Sequence, residues 1–226
     1  MLVKIYSSAV FGVDATTITI EVNISRGVNF FLVGLPDSAV KESQQRIKSA
    51  VKNIGLSIPG KEITINMAPA DIRKEGSVYD LPIAMGILAA SNQVKATEVS
   101  KYIILGELSL DGTIQPMKGI LPIAIQAKKD GFKGVIVPAE NSLEAAIVRE
   151  IEVIGVSNLS EVVDFFNGEK IIEPTIYSNE KTLEEIHPRI ERHYAAKKFL
   201  QVVGNFRPLL ARHLISYDEV SGMDDL

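Results

Sequence analysis

The chain has 226 residues, 46% hydrophobic and 23% charged, with 24 basic against 28 acidic side chains and a formal net charge of -4. At roughly 150 residues per domain this allows one large domain or one domain with an appendage, and the composition excludes disordered and fibrous classes. The lack of cysteine excludes disulfides, thiolate metal sites and a cysteine nucleophile, and the acidic balance lacks the footprint of an autonomous nucleic-acid binder.

At the N-terminus, Lys4 and Asp14 interrupt the apolar run a signal peptide needs, so a cytoplasmic protein is expected. Thr17 to Ser25 alternates Ile18, Ile20, Val22 and Ile24 with polar residues, the period of a half-buried strand. The Arg26-Gly27 turn and the run Asn29 to Val33 follow, which predicts an antiparallel hairpin. Gly34-Leu35-Pro36 ends that strand, and Asp37 or Ser38 is a candidate cap for a helix over Ala39 to Asn53 with Val40, Ile47, Ala50, Val51 and Ile54 as its apolar stripe.

Glu62 to Met67 reads as a strand, Ala68 to Tyr79 as a long loop, and Asp80 as the cap of a helix over Leu81 to Ser91. The uncharged run Leu81 to Val94 has 14 residues, fewer than the roughly 20 needed to span a bilayer, so it reads as a buried helix. Tyr102 to Gly106 and Leu108 to Pro116 are expected to form a second hairpin around Asp111-Gly112. A helix opening at Gly119, a strand Gly134 to Pro138, a helix Ser142 to Arg149, a strand Glu152 to Val156 and a helix Leu159 to Phe166 complete an α/β close. Composition shifts after Gly168, which places a domain over 1–168 and a linker with a mostly helical tail over 169–226; Glu191 to Leu210 has helix-compatible apolar spacing.

No G-x-x-x-x-G-K-[ST] run occurs, so no phosphate-cradling loop is expected in these residues. His187, His193 and His213 lack helical metal spacing, and no metal site is expected. The pairs Glu75 with Asp80 and Glu107 with Asp111 are read as cap and turn residues before acid-base groups. Ser77, just before a helix, and Lys118, at the next helix start, suggest a Ser-Lys dyad, against the simpler account of a loop serine and a surface lysine.

The string Ile63 to Ala84 (ITINMAPADIRKEGSVYDLPIA), with Val33-Gly34-Leu35-Pro36 and Lys41-Glu42 before it and Gly106 to Gly112 (GELSLDG) after it, resembles the amino-terminal domain of the Mg chelatase-like ATPases, the bacterial ComM/YifB family. The resemblance runs over about residues 2–168. It implies an α+β fold like the Lon protease catalytic domain and domain 2 of a small-subunit ribosomal protein. It also implies that Val78, or with a small slip Asp80, stands where Lon carries its serine, and Leu121 where it carries its lysine. Neither replacement acts as the dyad does, so the resemblance implies a non-proteolytic domain with Ser77 and Lys118 as a weak alternative.

Family members continue into an AAA+ module that holds ATP and Mg and works as a hexameric motor on DNA in natural transformation. Residues 175–226 do not resemble the family's linker and P-loop, so the expectation is a truncated gene product, an excised piece or a stand-alone variant without cofactor or ATPase activity of its own. The implied role is oligomer assembly and DNA or partner contact, with Arg73, Lys74 and Lys118 as phosphate-contact candidates and no membrane role. Arg73 and Lys74 merely solvating a loop is the plainer account. A magnesium-chelatase-related subunit is a third reading, without any porphyrin site evident in the sequence.

Overall fold

A computed structural model of the chain describes residues 2–177. The long strands β1 (Leu2–Phe11) and β2 (Asp14–Ser25) form an antiparallel hairpin in register from Leu2↔Asn23 to Phe11↔Asp14. Next come β3 (Phe30–Val33), α1 (Ser38–Asn53), β4 (Glu62–Ala68), a 3-10 turn over Ser77–Tyr79, and α2 (Asp80–Ala90). The chain then adds α3 (Ala96–Val99), β5 (Tyr102–Ile104), the short pair β6 (Glu107–Leu108) and β7 (Ile114–Gln115), and α4 (Ile120–Lys129). It closes with β8 (Gly134–Pro138), α5 (Ser142–Ala146), β9 (Glu152–Val156) and α6 (Leu159–Asn167).

Seven strands make one sheet in the order β3-β4-β2-β1-β5-β8-β9. Alternation along each strand splits the interior in two. Val3, Ile5, Ile18, Ile20, Val22, Ile63, Ile65, Ile104, Ile136 and Ile154 face the core shared with α1, α2 and α6. Tyr6, Val10, Ile103, Val135, Val137 and Val153 face the core shared with α4 and α5. The mixed parallel and antiparallel pairing with helices on both faces is the expected α+β class.

Helix α2 is buried on every side, as its uncharged run from Leu81 onward predicts. It lies so close to the sheet that a Cβ at Gly86 would come within 2.6 Å of a Val22 methyl. α1 buries one stripe, Val40, Ile47, Ala50 and Val51, and starts where expected, with the Asp37 carboxylate accepting from Val40 N at 2.8 Å.

Three expectations are corrected. β2 and β3 do not form a hairpin: β4 lies between them, antiparallel to β2 and parallel to β3, because the β3-α1-β4 segment is a crossover whose helix must pack on the sheet. Tyr102–Ile104 does not belong to the Asp111-Gly112 hairpin, which β6 and β7 make by themselves; β5 instead runs parallel between β1 and β8. The helix expected over Ser142 to Arg149 ends at Ala146.

After Gly168, which closes α6 at φ 77°, residues 169–177 form no regular element but return to the domain. Thr175 N donates to Val153 O at 2.8 Å, and Ile172 and Tyr177 each pack on one of the cores. The helix expected over 191–210 lies outside the described residues. Among the described residues no helix is long and apolar enough to cross a membrane.

Candidate functional site at the loop between β4 and α2

The loop from Pro69 to Tyr79 is held by segments far away in sequence. Lys74 sits beside the end of β3 as a short parallel bridge to Pro36, with Lys74 N donating to Leu35 O at 3.2 Å and Asp37 N to Lys74 O at 3.0 Å. Asp37 serves twice, since the carboxylate that caps α1 also accepts from Gly76 N at 3.0 Å. On the other side Gly106 N donates to Val78 O at 2.9 Å and Leu81 N to Gly106 O at 3.0 Å. The strings around residues 34–37, 74–81 and 106–108 therefore meet at one place.

Within this place one pair of opposite charges is enclosed. Asp80 has a fully buried side chain; Arg46 of α1 donates to it from Nε at 2.6 Å and Nη2 at 3.0 Å, and Leu108 N adds a third bond at 3.3 Å. Arg46 Nη2 also donates to Ala39 O at 2.8 Å, so the guanidinium ties the first turn of α1 to the start of α2. Burial pushes the Asp80 carboxyl up, against the lowering pull of the Arg46 and Leu108 hydrogen bonds. Asp80 was expected to cap its helix; instead it is the first residue inside α2, and its carboxylate serves Arg46 and Leu108. The reason is that a buried carboxylate must take the strongest donors in reach, and a guanidinium outweighs a helix-end amide.

Ser77 Oγ donates to Glu107 Oε2, so its hydroxyl is committed to a carboxylate, which is no general-base lysine. Val78 is half-buried and packs on the first core. Leu121 N donates to Glu144 Oε1 at 3.1 Å in the first turn of α4. Lys118 is exposed in the turn before Gly119, whose left-handed backbone (φ 83°) opens α4.

Of the other cations, Arg73 is exposed and pairs with the equally exposed Glu75 at 3.2 Å, a contact worth little in water. Lys74 departs from expectation: it is fully buried, its Nζ donating to Pro69 O across the loop, so it does not offer its ammonium to a phosphate. Arg73 and Lys118 are the candidates left at the surface. Sequence reasoning missed Arg46 and the Glu107 partner of Ser77. The signal available was indirect, since an Asp opening an otherwise apolar buried helix needs a cation from elsewhere.

Burial pushes the Lys74 ammonium below its ordinary 10.5, with Asp71 pulling the other way. Between the lowered folded value and the unfolded one the unfolded chain binds more protons, so stability rises with pH in that window. Denaturant unfolding at neutral pH and near pH 10 is expected to show the wild type gaining stability relative to Lys74→Met as pH rises. Parallel profiles for the two proteins would remove this role from Lys74.

The chain matches the family described as "Subunit ChlI of Mg-chelatase" over residues 20–141. It is 42% identical over 170 residues to "Competence protein ComM" of Haemophilus influenzae, covering 75% of this chain and 33% of that protein. Identity to "Uncharacterized protein YifB" of Escherichia coli is 41% over 170 residues, with the same shares of 75% and 33%. "Lon protease 2" of Bacillus subtilis is 31% identical over 130 residues, 56% of this chain and 23% of the protease, which carries the Lon-like fold expected from sequence. The chain spans about a third of the length of the ComM and YifB relatives it matches.

Proposed function

The chain belongs to the Mg-chelatase ChlI family, with ComM and YifB among its relatives, and from that premise we propose that residues 1–168 are a non-proteolytic, Lon-like accessory domain of a ComM-type AAA+ ATPase. In this reading the domain serves hexamer assembly and DNA or partner contact in the cytoplasm during natural transformation; the name of the Haemophilus influenzae relative supports the link to competence alone. ATP and Mg are handled by an AAA+ module and not by these residues.

What supports the non-proteolytic reading is the chemistry at the positions that the resemblance matches to the Lon dyad. The candidate nucleophile Ser77 is bonded to Glu107, Val78 has no nucleophile, Asp80 is locked by Arg46, and an apolar Leu121 replaces the lysine. A Ser-Lys dyad needs an unprotonated lysine within reach of the hydroxyl. Casein turnover by the wild type is expected to equal that of Ser77→Ala, both at background. Activity lost on that substitution would overturn the reading.

The DNA contact is tested by size-exclusion chromatography with light scattering, with single-stranded and branched DNA at low salt. Comigration that disappears as salt rises, and that Arg73→Glu with Lys118→Glu abolishes, is expected from phosphate contacts. A chain that elutes apart from DNA at low salt would overturn it.

A further inference from the structure

β3 ends the seven-stranded sheet, and its outer edge has no strand partner among the described residues. Its pairing with β4 determines which backbone groups are free. The bridge Phe30↔Ile63, with Ile63 N donating to Asn29 O at 2.9 Å, turns the N–H and C=O groups of residues 29, 31 and 33 toward β4. Those of Phe30 and Leu32 point outward.

The side chains alternate in the same way. Phe30 and Leu32 pack on the core beneath α1 and α2. Phe31 and Val33 stand on the opposite face, 46% and 47% exposed, beside half-buried Thr64 and Asn66 of β4. Just past the strand, Leu35 is 56% exposed at φ 57°, a left-handed backbone that is costly for a bulky residue and is imposed by the Lys74 and Asp37 hydrogen bonds. Edge strands in soluble proteins are normally guarded by charge, proline or a bulge. β3 is short, at four residues, but has no charge, proline or bulge, and from Gly27 to Pro36 there is no charged residue.

We propose that the β3 edge is a docking surface for a second copy of this chain, which joins the two sheets through antiparallel β3–β3 pairing about a two-fold axis at Leu32. A two-fold axis perpendicular to the sheet keeps like faces together, so facing residues have numbers of equal parity. With Leu32 on the axis, the outward N–H and C=O groups of Leu32 in the two copies pair with each other, and Phe30 faces Gly34 just past the end of the other β3. On the exposed face Phe31 of each copy meets Val33 of the other, which closes four apolar side chains into one patch. Centring on Phe31 would instead set Val33 against polar Asn29. The Leu32 register also runs the Arg26 end of each copy toward the Asp37 end of the other, so the residues flanking the uncharged segment are of opposite sign across the seam, at long range because the Asp37 carboxylate is bonded to Val40 N and Gly76 N. A heterologous ring contact uses two different surfaces, so this pairing stands independently of the hexameric reading.

The test is sedimentation equilibrium of the full chain over a range of concentrations. The expected result is a concentration-dependent species of twice the 24.7 kDa chain mass. Phe31→Lys with Val33→Lys sets like charges face to face and is expected to be monomeric. Phe31→Lys with Val33→Glu sets opposite charges face to face in this register and is expected to regain the dimer. Circular-dichroism melts check that both variants stay folded. A wild type that stays monomeric overturns the proposal. A larger assembly unmoved by the variants, or two variants of equal mass, overturns it as well.

Discussion

Replacing Arg46 by alanine is expected to cost about 3–5 kcal/mol of stability, the loss typical of removing one partner from a buried ion pair. Asp80 is fully buried and receives two of its three hydrogen bonds from Arg46, whose own side chain is 21% exposed. Without the guanidinium, the carboxylate keeps one amide donor in a site that water does not reach, and the first turn of α1 loses its tie through Ala39. The pH dependence separates this from simple loss of packing. With only burial acting strongly on it, the Asp80 carboxyl of the variant titrates above its unfolded value, so the folded state binds the extra proton in that window. Stability of the variant relative to wild type should then recover as pH falls through the raised value and worsen as it rises. Arg46→Met combined with Asp80→Leu removes both charges and should recover much of the loss. Urea midpoints measure all three; a loss below about 1 kcal/mol for Arg46→Ala would place the pair among surface bridges.

Gly34→Ala should be the most damaging single-methyl change in the domain, with more than about 3 kcal/mol lost or no folded protein recovered. Gly34 has φ 101°, a region that L side chains rarely adopt, and a Cβ there would lie 2.1 Å from Met67 O and 2.8 Å from Met67 C. Those atoms are backbone at the end of β4, so relief requires β3 and β4 to part just where Leu35 and Asp37 bond Lys74. The damage should therefore reach the site as well as the sheet. Gly131→Ala is the control, because it shares a positive φ of 77° yet a Cβ there meets nothing within 4 Å. It should lose only the strain of the backbone, about 1–2 kcal/mol. Equal thermal shifts for the two variants would refute the role given to the Met67 contact.

Much of the local structure was legible from residues close together in the chain. The cap at Asp37, the stripe of α1, the alternation of β2, the Asp111-Gly112 turn and the all-round apolar α2 each depend on spacing within a few positions, and each appears as expected. The strings that carry the resemblance do converge in space, since residues 74–81 of the 63–84 string bond to 35–37 and to 106. What sequence reading missed was partnership. A strand's period tells that it is half-buried but not which strand lies beside it, so β2 and β3 were paired across a short turn that instead leads into a crossover.

The same division runs through the charges. That Asp80 opens a buried apolar helix is written in the sequence, as are the cations near Ser77. Only the tertiary structure decided that Asp80 answers to Arg46, that Lys74 turns inward to Pro69, and that Ser77 bonds Glu107. Caps, turns and periodicity act over a few residues and leave local marks, whereas burial of a charge depends on which distant segments close over it. That closure belongs to the packing of α1, α2 and the β5–β6 turn together, and no one of the three segments encodes it alone.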